Sequence, residues 1–285
     1  MATLLLATAA GCAGSSASRQ PVGSANAPPS PSTTASLTSH PSPPTASGSV
    51  FVIVMENKSA DRALSPPFTS SLAQQYAFLA NYHAISHPSL PNYLALTSGD
   101  TYGITDDAYH QLGTSDLGHQ LSGAGISWRA YMEGMSNGCF SSGDQYALKH
   151  NPFAYYGGSC PVNVVDAAAL QGDLEGNTPR FVWITPNLCN DTHDCPVATG
   201  DDWLRNEVGL ITSSASWLNR GLLLITWDED GSGRVATIVV APNLTAHTSG
   251  IYHDHYSLLA TIEDRLGVPR LGNARGATPF SEVVP

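Results

Sequence analysis

The chain has 285 residues, of which 42% are hydrophobic and 12% charged, and its formal net charge is −11. This length and apolar content suffice for one sizeable core plus a tail. The 12 lysines and arginines are scattered along the chain, so the basic stripe typical of nucleic-acid binding is missing and a nucleic-acid partner is excluded. An acidic protein that binds an anionic substrate needs local cations, and bound metal ions are their usual source.

Residues 1–12 form a short apolar segment that ends in small residues and Cys12. The segment is too short to span a bilayer as a helix. It resembles the end of a bacterial lipoprotein signal in which Cys12 is lipidated, which would tether the protein to a membrane. No basic residue precedes the apolar run, and Ala9 stands where Leu is more usual, so a simple secretory signal is the alternative. Both interpretations predict an exported protein, either secreted or held at the cell surface.

Residues 13–48 consist almost entirely of Ala, Ser, Pro, Thr and Gly. Such a segment has too little apolar surface to order itself, and it is typical of an extended linker. We therefore expect one folded domain over residues 49–285.

Short apolar runs alternate with helical stretches through this domain. Helices are predicted at 66–79, 92–99 and 255–267, and strands at 50–55, 76–85, 126–132, 180–185, 221–228 and 235–242. The alternation predicts a three-layer α/β/α sandwich with a mainly parallel central sheet.

Polar residues follow three of the predicted strands directly. Glu56 and Asn57 follow the first strand, PNLCNDTHD (186–194) follows the strand at 180–185, and Asp228 ends the strand at 221–228 with Glu229 directly after it. Ligands bind at the carboxyl ends of the strands in such sheets. Converging carboxylates repel each other unless a cation lies between them, so we expect a divalent metal site here.

Ser89 lies between Pro88 and Pro91 in SHPSLPNYLALTSG (86–99), just before the predicted helix at 92–99. The prolines restrict the backbone around this hydroxyl, and a metal-bound hydroxyl is a strong nucleophile. A helix N-terminus suits a phosphate, and Asn92 can donate its amide to a phosphoryl oxygen. The alternative is that Ser89 caps a turn. His87 either lines the site or only holds the turn.

Further candidates come from histidine-containing segments. Asp191 and His193 lie together in NDTHD (190–194), and Asp191 is a candidate metal ligand. His193 and His255 could bind a second metal, contact a phosphate or give a proton to a leaving group. His150, in KHNPF (149–153), is a further candidate for phosphate binding.

Four cysteines remain besides Cys12, an even number that suggests disulfides in an exported chain. Proximity in sequence favours Cys139–Cys160 and Cys189–Cys195, although three pairings are formally possible. A zinc site is the alternative, but the spacings match no common zinc finger.

Six segments in order resemble the bacterial phosphoesterase family of phospholipases C and secreted acid phosphatases, within the alkaline-phosphatase-like superfamily. These segments are MENKS (55–59), HPSLPNYLALTSG (87–99), YALKHNPF (146–153), PNLCNDTHD (186–194) with GDDWL (200–204), ITWDEDG (225–231) and HYSLLATIED (255–264). The resemblance covers roughly residues 50–270 and is greatest to the short secreted acid phosphatases.

The resemblance implies that Ser89 is the nucleophile and that Glu56, with Asn57 beside it, is a metal ligand. It likewise places Asp228 and Glu229 at the metal. The histidines that it places around the phosphate are His150, His193 and His255. Asn187 stands where an Asp is expected, so one metal is expected and a second stays open.

The sequence thus predicts a metal-dependent phosphomonoesterase that works through a phosphoserine and takes a small phosphorylated substrate as a monomer. A phosphodiesterase or phospholipase C is the alternative enzyme, although the chain lacks the large C-terminal extension of the long phospholipases C. A sulfatase is disfavoured because no Arg follows Pro91 at the spacing of the sulfatase motif. The rival of another class is a catalytically inactive surface binding module.

Overall fold

A computed structural model describes residues 48–141, 143 and 145–284 of the chain. The predicted signal segment with Cys12, and all of the predicted linker except residue 48, lie outside the described residues. The domain boundary near residue 49 therefore stays a prediction.

Ten strands form two sheets in the part of the chain that the structure describes. They are β1 (Val50–Met55), β2 (Ala77–Leu79), β3 (Tyr82–His83), β4 (Trp128–Met132), β5 (Val164–Asp166), β6 (Phe181–Thr185), β7 (Leu222–Trp227), β8 (Thr237–Val240), β9 (His247–Ser249) and β10 (His253–Asp254). Eight of them make the main sheet in the order β5-β4-β6-β1-β7-β8-β2-β9, and β10 pairs with β3 separately. Only β8 runs antiparallel to its neighbours β7 and β2.

Two groups of helices flank the main sheet. The helices are α1 (Ala60–Ala63), α2 (Pro67–Gln75), α3 (Ser89–Ser98), α4 (Leu117–Gly123), α5 (Leu170–Glu175), α6 (Val197–Ser213), α7 (Ala215–Leu218) and α8 (His255–Leu266). Short 3-10 helices cover Leu148–His150, Pro152–Tyr155, Ala167–Ala169 and Gly272–Arg275. Helix α3 packs against α4 and α8, whereas α2 packs against α6. The predicted α/β/α sandwich with a mainly parallel sheet is confirmed. Among the described residues, no helix is both long and apolar enough to cross a membrane.

The centre of the sheet determines where the polar strand ends meet. Strand β1 lies between β6 and β7 and is parallel to both. Every residue of β1 and β7 is buried, as their unbroken apolar sequences require for strands covered on both faces. Met55 pairs with Trp227 in register. The next residues, Glu56 and Asp228, therefore leave the same edge of the sheet side by side.

Two element boundaries differ from the sequence-based expectation. Helix α3 begins at Ser89, not near Asn92. Pro91 is tolerated inside its first turn because the N–H groups there have no acceptor within the helix. The predicted strand at 76–85 is split into β2 and β3, and α2 ends at Gln75 before it.

Candidate active site

Three buried carboxylates converge where β1, β6 and β7 end. Glu56, Asp191 and Asp228 are each 0% exposed. The backbone fixes them together, since the Glu56 N–H donates to the Asp191 carbonyl at 2.8 Å and the Asp228 N–H donates to the Met55 carbonyl at 2.9 Å. The strand ends thus bring together three acidic residues that lie 172 positions apart at the extremes of the sequence.

Ser89 faces this carboxylate cluster from the first position of α3. Its Oγ donates to Oε2 of Glu56 at 3.2 Å, and its side chain is 1% exposed. The other oxygen of Glu56 accepts a hydrogen bond of 2.6 Å from the Tyr93 hydroxyl, one turn along α3. One helix therefore holds both oxygens of the carboxylate, and the predicted proximity of Ser89 and Glu56 is present in the structure.

Two histidines complete the cluster. One nitrogen of His150, Nε2, lies 3.1 Å from Oε1 of Glu56, and the other, Nδ1, lies 3.3 Å from Oδ2 of Asp191. His150 is buried, whereas His193 is partly exposed. Ligand atoms of Glu56, His150 and His193 all lie within 4.8 Å of one another. These three side chains have the spacing of a candidate metal site.

Burial governs the charge of the cluster. It raises the pKa of Glu56 well above its usual value, and the neighbouring charges of Asp228 and Asp191 raise it further. Burial also raises the pKa of Asp191 and of Asp228 to about 7, and it lowers the pKa of His150. In the absence of a cation, burial therefore shifts all of these groups toward their neutral forms.

The donor set fits a divalent cation. His150 Nε2, Asp191 Oδ2 and Asp228 Oδ2 are buried polar atoms without a hydrogen-bond partner. Buried polar atoms are normally paired, because an unpaired one loses its hydration without compensation. A divalent cation would pair these atoms and favour the ionised carboxylates at the same time.

The other two predicted metal ligands lie at the edge of the cluster. Asn57 contributes its backbone N–H, which donates to Oδ1 of Asp228 at 3.0 Å, and its own φ is 53°. Glu229 is 1% exposed, and its Oε2 lies 2.5 Å from Nδ1 of His87. That contact raises the pKa of His87, whose side chain is mostly exposed. His87 thus contacts Glu229 at the edge of the cluster.

The side chain of Asn92 hydrogen-bonds to the backbone of its own turn, whereas the sequence predicted a contact with phosphate. Its Oδ1 accepts hydrogen bonds from the backbone N–H groups of Ile85 and Ser86, at 2.9 and 3.0 Å. Its amide group donates to the carbonyls of Ser86 and Pro88 at 3.0 and 3.1 Å. The side chain is fully buried and holds the turn that delivers Ser89.

His255 is also placed differently from its predicted contact with phosphate or leaving group. It is fully buried, with Nε2 2.5 Å from the carbonyl oxygen of Asp228 and Nδ1 2.8 Å from the Tyr82 hydroxyl. A neutral ring satisfies both contacts, because Nε2–H donates to the carbonyl and Tyr82 donates to Nδ1. Burial lowers the pKa of His255 to about 4, which favours that neutral form. His255 therefore supports the backbone of Asp228, and both of its ring nitrogens contact protein groups.

The loop that carries Asp191 and His193 is closed by a disulfide. Cys189 pairs with Cys195 and Cys139 with Cys160, with Cα separations of 4.7 and 5.5 Å, so both predicted pairings are confirmed and the alternative of a cysteine zinc site is wrong. Asn187, the residue that left a second metal open, accepts the N–H groups of Cys189 and Asn190 through its Oδ1. Its side-chain oxygen therefore shapes this loop.

Several residues at the site were not singled out from the sequence. Tyr93 contacts Glu56, and Lys58 Nζ donates to the Thr192 carbonyl at 2.6 Å. Lys149 Nζ lies 3.0 Å from Oδ2 of Asp107. Burial opposes the charge of Lys149, but the hydrogen bond to Asp107 and its charge outweigh that effect and raise the pKa of the ammonium. The available signal was that both lysines lie inside segments already singled out, MENKS and YALKHNPF.

The sequence profile of the Phosphoesterase family matches residues 63–269 of the chain. A phosphatidylinositol-3-phosphatase of Mycobacterium tuberculosis is 32% identical over 247 residues, which cover 82% of this chain and 82% of that protein. A probable acid phosphatase of Kluyveromyces lactis is 30% identical over 259 residues, which cover 82% of this chain and 62% of that protein. The chain spans 58–62% of the length of the fungal acid phosphatases that it matches.

Solved structures share the fold at low sequence identity. A protein of the alkaline phosphatase superfamily from Vibrio parahaemolyticus matches with a TM-score of 0.59 and 11% identity, covering 80% of this chain and 70% of that one. A phosphonate monoester hydrolase from Silicibacter pomeroyi matches with a TM-score of 0.57 and 12% identity, covering 84% and 76%. These matches show the architecture.

Proposed function

This chain belongs to the phosphoesterase family and is a phosphoric ester hydrolase, and we propose that it hydrolyses phosphate monoesters through Ser89 with the help of a divalent metal ion. The observation that carries the proposal is the 3.2 Å hydrogen bond from Ser89 Oγ to Glu56, inside a buried cluster of acids and histidines. A nucleophilic hydroxyl beside a group that can take its proton is the arrangement that covalent catalysis requires.

Glu56, Asp191 and Asp228 would hold the metal, with His150 near enough to contribute. Asn57 and Glu229, at the edge of the cluster, are the further candidate ligands of this metal. A bound divalent ion supplies positive charge that stabilises the phosphoryl oxygens and lowers the pKa of a coordinated hydroxyl. One ion would provide a partner for the buried polar atoms that have no hydrogen bond, and the proposal includes no second ion.

The residues of the chain divide the reaction into two displacements. Ser89 loses its proton toward Glu56, and its Oγ forms a bond to phosphorus while the bond from phosphorus to the leaving oxygen breaks. His193, the partly exposed member of the cluster, gives a proton to that leaving oxygen. Water then attacks the phosphoserine and gives a proton to His193, the bond between Oγ and phosphorus breaks, and Ser89 regains its proton from Glu56.

The substrate class follows from the same site. An acidic protein with a single buried nucleophile favours a small phosphorylated molecule, and we propose that it acts as a monomer without a nucleic-acid partner. One relative is named for phosphatidylinositol 3-phosphate, whose 3-phosphate is a monoester, so a phosphoinositide headgroup belongs among the substrates to test. The two disulfides are typical of exported proteins, which supports export, and a tether through Cys12 stays part of the proposal.

A substrate panel and one variant test this function. Ser89→Ala should reduce hydrolysis of an aryl phosphate monoester by at least about a thousandfold, because it removes the proposed nucleophile. Ser98→Ala is a matched control in the same helix, since Ser98 donates back to the Leu94 carbonyl at the far end. Its activity should stay within about twofold of the wild type.

The contrary outcomes are distinct. Residual Ser89→Ala activity within a few-fold of the wild type would rule out Ser89 as the nucleophile. Faster turnover of phosphatidylcholine or of phosphodiesters than of monoesters would favour the phospholipase C alternative. A wild-type protein that binds phosphate but hydrolyses none of these esters, with any of the common divalent metals, would be the inactive binding module.

A further inference from the structure

Both lysines of the whole sequence, Lys58 and Lys149, lie at the carboxylate cluster. The chain carries a net charge of −11, so its ammonium groups are few and their position is informative. Lys58 follows Asn57 in the chain, and Lys149 directly precedes His150. Both contribute attractive interactions to the buried carboxylates of the cluster.

The two lysines have different environments. The ammonium of Lys58 donates to the carbonyl of Thr192 at 2.6 Å and so braces the loop that carries His193. Lys149 forms an ion pair with Asp107 at 3.0 Å, and the side chains of this pair are 22% and 31% exposed. An ammonium has three N–H donors, and the Asp107 carboxylate occupies one of them. Lys149 is thus held in place but can still be reached by a solute.

Asp107 links that ammonium to the start of the helix that carries Ser89. Its Oδ1 accepts the backbone N–H of Leu90 at 3.0 Å, while its Oδ2 accepts Lys149. Leu90 is the residue after Ser89 in α3. Lys149 is followed in the chain by His150, whose Nε2 lies 3.1 Å from Oε1 of Glu56. One carboxylate therefore ties the start of the nucleophile helix to the segment that carries the buried histidine.

The substrate creates the need for this cation. Four carboxylates surround the site, those of Glu56, Asp191, Asp228 and Glu229, and a phosphate monoester adds up to two negative charges. A single divalent ion does not balance that sum. A lysine acts as a point charge toward phosphate and gains from a charge-assisted hydrogen bond.

We propose that Lys149, positioned by Asp107, binds a non-bridging oxygen of the substrate phosphoryl group at Ser89. The inference rests on the proposed phosphomonoesterase function and adds a substrate-binding residue to it. Asp107 is a positioning residue: it holds Lys149 and the start of α3 without contacting the substrate.

Lys149→Met tests the contact, since it keeps a long side chain and removes the charge. KM for an aryl phosphate monoester and the inhibition constant of inorganic phosphate should both rise by roughly ten- to a hundredfold. Lys149→Arg should recover most of the affinity for inorganic phosphate, because it restores the positive charge. Asp107→Asn keeps an acceptor for Leu90 but loses the ion pair, and KM should rise by only a few-fold.

The matched control is Arg129→Met. Arg129 lies near the amino end of β4, and its guanidinium forms an ion pair of 2.6 Å with Oδ2 of Asp173, which the substitution removes. It removes the same charge from the molecule and should leave KM and phosphate inhibition unchanged. Thermal melting of each variant checks folding, and phosphate binding to the Ser89→Ala protein by calorimetry, with and without Lys149→Met, gives a measurement independent of turnover.

The failures are separable. If Ser89→Ala is inactive but Lys149→Met keeps the wild-type KM and phosphate inhibition, the inference is wrong and the proposed function stands. If Arg129→Met weakens phosphate as much as Lys149→Met does, only net charge matters and the inference is again wrong. If Ser89→Ala remains active, the proposed function itself fails and this inference fails with it.

Discussion

Glu56 shows how a single residue can organise a site. Its Oε2 accepts from Ser89, its Oε1 accepts from Tyr93, and His150 approaches the same oxygen. The sequence indicated Glu56 and Ser89 because each stands at the end of a recognisable strand or turn. It did not indicate Tyr93, because an aromatic residue in an apolar helix is normally a core residue and only its neighbour in space reveals the role of its hydroxyl.

His255 is expected to act on the reaction only through Asp228. His255→Ala should lower kcat by roughly ten- to a hundredfold with little change in KM, because it removes the partner of the Asp228 carbonyl and one partner of the Tyr82 hydroxyl. Cavity formation and these lost bonds should also cost about 3 kcal/mol of stability. Steady-state kinetics and chemical denaturation of the variant measure both effects.

The pH profile distinguishes this role from proton donation. His255→Gln retains a donor near the position of Nε2 and should keep both limbs of the profile of kcat/KM against pH. Loss of the alkaline limb in this variant would instead identify His255 as the proton donor of the sequence-based hypothesis.

At the scale of elements, the central strands were predictable and the small ones were not. Strands β1, β6 and β7 are continuous apolar runs, so their sequences alone indicate strands buried on both faces. Strands β9 and β10 have only three and two residues and exist through their pairing partners. Helix α6 was missed although its sequence shows the signal, with buried residues at 201, 204, 208 and 211 spaced by three or four positions.

Helix α6 also limits what its own sequence can contain. A Cβ at Gly200 would lie 2.3 Å from Cγ2 of Thr192 and 2.9 Å from the Asn190 carbonyl. Gly200→Ala should therefore lower stability by about 2 kcal/mol and reduce activity, because it pushes on the loop that carries His193. Urea denaturation and kinetics with an aryl phosphate measure the two effects.

Gly209 provides the control in the same helix. A Cβ there meets nothing within 4 Å, so Gly209→Ala should raise stability by about 0.5–1 kcal/mol through helix propensity alone and leave activity unchanged. Equal effects of the two substitutions on stability would show that α6 does not press on the loop.

The molecule as a whole concentrates buried acids at one edge of its sheet, which links its stability to pH. In the unfolded chain Asp191 and Asp228 titrate near 4, whereas burial raises their pKa to about 7 in the folded protein. Between these values the folded protein holds protons that the unfolded chain has released, so stability without metal falls as pH rises from about 4 to about 7. His150 and His255, whose pKa values are lowered by burial, oppose this trend, whereas Glu56, whose pKa is raised, adds to it.

A divalent cation should reverse the loss. Because it needs ionised carboxylates, Mg²⁺, Mn²⁺, Ca²⁺ or Zn²⁺ should raise the Tm by at least about 4 °C at pH 8, relative to chelator, and by less at pH 5. Thermal melting at both pH values measures this, and Asp228→Asn should shrink the rise. Glu263, on α8, has a pKa raised to about 8 and adds to the pH trend, so the comparison is made with and without cation at each pH. An equal rise at both pH values, or none with any of the four ions, would contradict a carboxylate metal site.

The position of the two lysines has a practical consequence for handling the protein. Reagents that acylate side-chain amines, such as those used to attach dyes or to couple proteins to a solid support, can react with lysine only at Lys58 and Lys149. Both attachment points border the site that contains Ser89. Coupling through lysine would therefore obstruct the active site. The other ten basic residues are arginines, whose guanidinium groups these reagents do not acylate.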